Sequence, residues 1–205
     1  MKPIIENSLN KSQSYKGYRD FVKKLAETNS TSGNEKTEAL INYTLLNNRR
    51  MKRWDKTLKI TQEIHDKVIA IKGKVTWLVL TESWCGDAAH QIPVMNKMAE
   101  LNDNIDFKVA LRDENEELMD LFLTNGNKSI PKLIMIDNAS GDVINTFGPR
   151  PSEATKMVND YKSEHGKLTP EFKEDLQYWY NKDKGQNMLK DLAEILQEIT
   201  PSFSL

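Results

Sequence analysis

Thr81-Glu82-Ser83-Trp84-Cys85-Gly86-Asp87-Ala88-Ala89-His90 is the stretch of this chain whose residue types and spacing point to chemistry. It follows an apolar, β-branched run and precedes a helical pattern, which puts Cys85 at a strand-to-helix turn. A thiol there meets the unpaired amides and the positive end of the helix dipole, and both favour the thiolate, the nucleophilic form. Asp87 adds a negative charge close by and pulls the other way. A second element, Ser129-Ile130-Pro131-Lys132, places a proline at a strand start 46 residues after Cys85. Proline has no N–H for a sheet, and X-Pro tolerates cis, so both isomers are open; the cis one would leave the Ile130 backbone groups free.

Cys85 is the one cysteine of the chain. That excludes an internal disulfide, a Cys-rich zinc site and a two-cysteine redox cycle within one chain. His65 and His165 have no second ligand at metal spacing, so no protein-encoded metal site is expected. His90 comes five residues after Cys85, about 140° round a helix, which sets up a Cys–His nucleophile pair poorly and leaves a surface or partly packed histidine. Asp113, Glu114, Glu116, Glu117 and Asp120 suit a solvated helix start, where acids meet the dipole. Met95, Met98, Met119 and Met135 fall on core faces. There is neither a Gly-rich phosphate loop nor a Ser-His-Asp spacing.

These residues need a scaffold, and 205 residues are enough for one domain with attachments. With 38% apolar and 29% charged residues, the composition is that of a soluble, helix-rich protein. No apolar run reaches the ~20 residues of a membrane span, and MKPIIENSLNKSQ has no signal-like segment, so a cytoplasmic protein without membrane contact is expected. A net charge of −1 argues against nucleic acid as a partner. Charge is uneven: residues 1–72 hold 15 Lys+Arg against 8 Asp+Glu, leaving 14 against 22 in 73–205. The dense basic run Arg49, Arg50, Lys52, Arg53 and Lys56 reads as a solvated helix face beside an acidic body.

The first dozen residues read as polar and loose. Tyr15, Tyr18, Phe21, Val22 and Leu25 then recur at helical spacing, and residues 28–36 break the pattern. Helix resumes from about Glu35 through Leu40, Ile41, Leu45 and Leu46, and again at Met51, Trp54 and Leu58 toward Val68, with a turn at Asn47-Asn48. Val75–Leu80 reads as a strand buried on both faces in mid-sheet. Helix at Asp87–Leu101 with Pro93 inside it, strand at Asp106–Leu111 and helix at Asp113–Leu123 follow. Strands at Lys132–Ile136 and Val143–Phe147 flank a turn at Asn138–Gly141, and a helix runs from Ser152 to about Ser163. The order β-α-β-α-β-β-α implies a mixed sheet, parallel then antiparallel. Thr169-Pro170 opens a C-terminal helical segment interrupted near Asp183–Gly185.

Trp84-Cys85-Gly86-Asp87, Ile130-Pro131, Gly148 after the last strand and this element order resemble the thioredoxin superfamily, in particular cytosolic thioredoxin-like proteins with a WCGDC motif. Arg112-Asp113-Glu114-Asn115 and Leu123-Thr124-Asn125-Gly126 reinforce the likeness. It implies an α/β fold with a mixed four-stranded central sheet flanked by helices. A thioredoxin-like domain is expected over 68–165, with an N-terminal helical extension at 1–67 packed on the core and a C-terminal one at 166–205. The resemblance implies Cys85 as the nucleophile, with Trp84, Gly86, Asp87, Ile130 and Pro131 contacting substrate and Pro131 as the cis-proline facing Cys85. Two positions depart from the pattern. The second motif cysteine is Ala88, a lost resolving position, and the buried acid six residues before the nucleophile is Val79.

A lone thiolate can form a mixed disulfide but needs an outside thiol for release. Monothiol disulfide exchange is therefore expected, with a protein disulfide or thiol partner, no bound cofactor, and glutathione or another low-molecular-weight thiol as co-substrate. The alternative is a non-catalytic thioredoxin-fold module that binds a protein through the same groove. A monomer and a weak homodimer are both compatible.

Overall fold

The computed structural model describes residues 1–199; the last six residues of the expected C-terminal extension lie outside the described ones. In chain order the elements are α1 (Lys2–Asn10), β1 (Gln13–Ser14), α2 (Tyr15–Glu27), α3 (Glu38–Thr57), α4 (Gln62–Ile69), β2 (Val75–Thr81) and α5 (Gly86–Ala99). They continue with β3 (Ile105–Leu111), a 3-10 turn at Arg112–Glu114, α6 (Glu116–Leu121), β4 (Lys132–Asp137), β5 (Val143–Phe147), α7 (Ser152–His165), α8 (Pro170–Asp183) and α9 (Gln186–Ile199).

The sheet order is β1-β3-β2-β4-β5. β2 runs parallel to β3 and antiparallel to β4, and β5 is antiparallel to β4. Every residue of β2 is buried, as its almost wholly apolar run requires of a strand with helices on both faces. The sheet thus has five strands where four were expected. The extra one, β1, is two residues long and pairs Gln13 with Val109 and Ser14 with Lys108, too short to leave a periodicity in sequence.

Two further expectations are corrected. The first dozen residues are not loose: α1 buries Ile5 and Ser8 and leans Ile4 and Leu9 on the core, an i, i+4 stripe sufficient to anchor one helix. Asn47 and Asn48 mark no turn, since α3 runs through both. Asn47 is fully buried, donates from Nδ2 to the Ser83 carbonyl at 2.9 Å and accepts from Arg50 Nη1 at 3.0 Å. An amide engaged across the fold no longer competes with its own helix. The helix expected at Asp113–Leu123 is split and shortened, because Asn115 turns its side chain back to the Leu111 carbonyl at 2.8 Å.

Residues from the flanking helices, including Tyr18, Met51, Val68, Leu189 and Leu192, share one hydrophobic core with the sheet. A smaller cluster, Ala154, Val158, Phe172, Leu176 and Tyr180, joins α7 to α8. No helix among the described residues is long and apolar enough to cross a membrane.

Candidate functional site

β2 delivers the chain to the site and α5 carries it away. Cys85 caps α5 with extended backbone, φ −71° and ψ 112°, and its thiol donates to the Ile130 carbonyl at 3.3 Å. The Ile130–Pro131 bond is cis, as is Gly148–Pro149. Gly148, with φ +111°, lies so close beneath the Pro131 carbonyl that a Cβ would strike that oxygen. Glycine is required there on both counts.

The thiol is 7% exposed. Burial and the Asp87 charge push it up to about 12, against the Ala88 and Asp87 amides and Arg150, which favour the thiolate. The two opposing influences read from sequence therefore resolve toward the protonated thiol. Asp87 is itself clamped: its Oδ2 lies 2.7 Å from Arg150 Nη2, and its Oδ1 accepts from the Tyr180 hydroxyl at 2.9 Å. Burial raises the Asp87 carboxyl, opposed first by Arg150 and then by Tyr180. Gln91 ties this corner together, donating from Nε2 to the Pro149 carbonyl at 2.7 Å and to the Tyr180 hydroxyl at 3.2 Å.

Trp84 is half-buried, and the Arg112 guanidinium lies 5.1 Å over its ring. Gly86 faces helices from both ends of the chain: a Cβ there would sit 3.6 Å from Arg50 Nη1 and 3.7 Å from Gln177 Nε2. Ala88 is 1% exposed and Val79 is fully buried in β2. The fold thus brings Cys85 to the Ile130 carbonyl, while Trp84 turns to Arg112, Gly86 lies near Arg50 and Gln177, and Asp87 is held by Arg150 and Tyr180.

His90 is buried, not on the surface. Trp54 Nε1 donates to its Nδ1 at 3.0 Å, so Nε2 bears the proton and donates to Gln177 Oε1 at 2.9 Å, while the ring stacks on Tyr180 at 4.5 Å. Burial, with Arg50 adding to it, lowers its pKa to about 3. It is a neutral packing group with both ring nitrogens engaged by Trp54 and Gln177.

Several supporting residues escaped the sequence reading. Glu82 is fully buried, accepts from the Asp113 amide at 3.0 Å and from the Ser32 hydroxyl, and burial raises its carboxyl. Thr31, Thr44 and Ser83 form a buried hydroxyl cluster, with contacts of 2.8 to 3.2 Å, that fixes the residues just before Trp84. Arg150 had a usable signal, being a cation held between Pro149 and Pro151 directly after β5. Tyr180 and Gln177 had none, because they reach the site from 93 and 87 residues beyond their partners. Among the described residues no group of three or more His, Cys, Asp or Glu is arranged to hold a metal ion.

A family model described as Thioredoxin matches residues 33–162, more than half of the chain. The chain belongs to the thioredoxin family. Within this family match the site residues from Trp84 to Pro131 are all included, and the match also takes in α3 and α4, ahead of the domain start expected from the motifs. A crystal structure of a protein of unknown function from Pseudomonas aeruginosa is similar, with a TM-score of 0.60 and 15% identity over 75% of this chain and 85% of that one. An HIV epitope-scaffold is similar at a TM-score of 0.54 and 15% identity, over 91% of this chain and 99% of that one. Both likenesses are of fold alone. No curated protein matches the chain.

Proposed function

We propose that this thioredoxin-family protein carries out monothiol disulfide exchange through Cys85. The observation that carries the reading is the 3.3 Å contact between Sγ and the Ile130 carbonyl. It sets a nucleophile beside the backbone edge that an extended substrate chain would pair with. The Cys85 thiolate attacks one sulfur of a partner disulfide; a new S–S bond forms to Cys85, and the other partner sulfur leaves as thiolate and takes a proton. With alanine at position 88 the bond is broken by an outside thiol, whose sulfur takes over the partner and returns Cys85 to the thiol.

At rest the thiol is protonated, so exchange is slow until a docked chain takes over the Ile130 carbonyl. Two amides and Arg150 are then positioned to favour the thiolate. The experiment compares wild type with Cys85→Ser in exchange with a labelled peptide disulfide. Loss of the mixed disulfide in the variant is expected, and unchanged exchange would refute the reading.

One observation favours a second reading, a non-catalytic module that binds a protein in this groove. The buried thiol already occupies the Ile130 carbonyl and is pushed well above the usual thiol range. Under that reading Cys85 is a packing donor, and Cys85→Ala retains partner binding.

A further inference from the structure

We propose that the cavity beside Trp84 binds a small zwitterionic thiol, of the amino-acid or short-peptide class, which releases the mixed disulfide from Cys85. The proposal rests on the monothiol reading, which requires an outside thiol and leaves its site unassigned.

The cavity measures about 410 Å³, and its walls include Glu35, Trp84, Arg112, Asp113, Glu116 and Lys128. That volume falls in the range of about 300–1,000 Å³ typical of small-molecule sites and exceeds what one protein side chain would fill. Its position is set by the two strands of chain that meet at the thiol. Trp84 immediately precedes Cys85, and Lys128 lies two residues before Ile130, whose carbonyl receives the thiol. A ligand seated between these two segments would extend its sulfur from the cavity toward the mixed disulfide at Cys85.

The cavity is held in shape before any ligand arrives. Glu82 accepts from Ser32 on one wall and from the Asp113 amide on the other, and Asp113 Oδ2 accepts from the Asn34 amide at 2.9 Å. The lining carries both signs. Arg112 directs Nε and Nη2 to Asp113 Oδ1, both at 2.7 Å, leaving its Nη1 edge without a hydrogen bond among the described residues. Lys128 lies 2.9 Å from Asp120 and 3.6 Å from Glu116 and remains partly exposed. Glu35 makes no ion pair among the described residues. A carboxylate on the ligand suits Arg112 and Lys128, and an ammonium suits Glu35 and Glu116. Uncharged thiols meet neither.

In the release step the ligand thiol loses its proton to water, its sulfur bonds to the partner sulfur, and the Cys85–partner bond breaks. Cys85 keeps the electron pair and is reprotonated. No oxidant or reductant beyond the zwitterionic thiol is needed.

Binding is tested without thiol chemistry by titrating S-methylglutathione into the full chain and following the Trp84 indole N–H, assigned with Trp84→Phe. A saturable shift is expected, with the midpoint raised about two- to fivefold in Glu35→Gln and in Lys128→Ala, the range for exposed charge contacts. No shift, or an equal one with 2-(methylthio)ethanol, overturns the proposal. So does a shift produced only by N-acetyl-lysine amide, which would make the cavity a pocket for a cationic side chain. Release of a preformed 2-mercaptoethanol adduct of Cys85 supplies the second readout: the rate should saturate with glutathione and rise linearly with 2-mercaptoethanol. Linear dependence on both overturns the cavity assignment while leaving the monothiol reading in place. If no adduct forms at any pH, the monothiol reading fails, and with it the releasing role.

Discussion

The Cys85 thiol spends its proton on the Ile130 carbonyl, 3.3 Å away, and that contact joins the two motifs on which the site depends. The sulfur there is held in its neutral form. Burial is the larger cause and the Asp87 carboxylate the next, and together they push the thiol up to about 12.

Alkylation of Cys85 in the folded protein is therefore expected to keep accelerating above pH 9, with no plateau near the ~8.5 of a free thiol. Asp87→Asn removes the repelling charge and leaves Arg150 without its partner, and both changes favour the thiolate. Alkylation at pH 8 should quicken by about tenfold, the lower end of what one nearby charge does. An unchanged or slower rate would contradict this electrostatic description.

The same shift makes stability depend on alkaline pH. The folded thiol holds its proton more tightly than the unfolded one, so the native state loses stability as pH rises from about 9 toward 12. Tyr18 and Tyr180, both raised, add to the loss above pH 10. Urea titrations at pH 8 and 10 should show a smaller decline for Cys85→Ser than for wild type.

His90 works in the opposite range. Its pKa falls from 6.5 to about 3 on folding, so the stability it confers is complete above pH 6.5 and is lost as pH falls toward 3. The amount at stake is on the order of a few kcal/mol. His90→Gln should flatten the decline in urea midpoint between pH 6.5 and 4.

Ala88→Cys returns a second thiol one helical turn from Cys85, on the first turn of α5. Intramolecular attack then replaces the outside thiol. A glutathione adduct should convert to an internal disulfide with loss of glutathione, visible by intact mass and by the disappearance of both titratable thiols. Persistence of the adduct would place the introduced thiol out of reach.

Gly148→Ala tests the support beneath Pro131. At φ +111° the added Cβ is strained, and it meets the Pro131 carbonyl oxygen. Backbone strain of this kind costs about 1–3 kcal/mol before any clash. A loss of at least that size in urea unfolding is expected, together with slower exchange at Cys85.

The core of the fold was legible because β2 is almost wholly apolar and β5 begins and ends at its turn signals, as at Val143 and Phe147. What was not legible depended on distant partners. Asn47 reads as a turn former until Ser83 is seen to occupy its amide, and His90 reads as a surface or partly packed residue until Trp54 and Gln177 close over it and bury it. β1 exists only through its pairing with Val109 and Lys108. At the site Cys85 and Pro131 stand out by their places at a strand-to-helix turn and a strand start, and the other motif residues only through the family resemblance, whereas the Arg150–Asp87–Tyr180 clamp joins three segments that sequence order keeps apart.

The most direct test of monothiol exchange is intact mass of the full chain after incubation with oxidised glutathione between pH 7 and 10, followed by a reducing thiol. One glutathione per chain, formed faster at higher pH, absent in Cys85→Ser and fully removed by the thiol, is the expected result. Absence of an adduct across that range, with Cys85 still open to alkylation after unfolding, would contradict the reading and leave the groove as a binding surface.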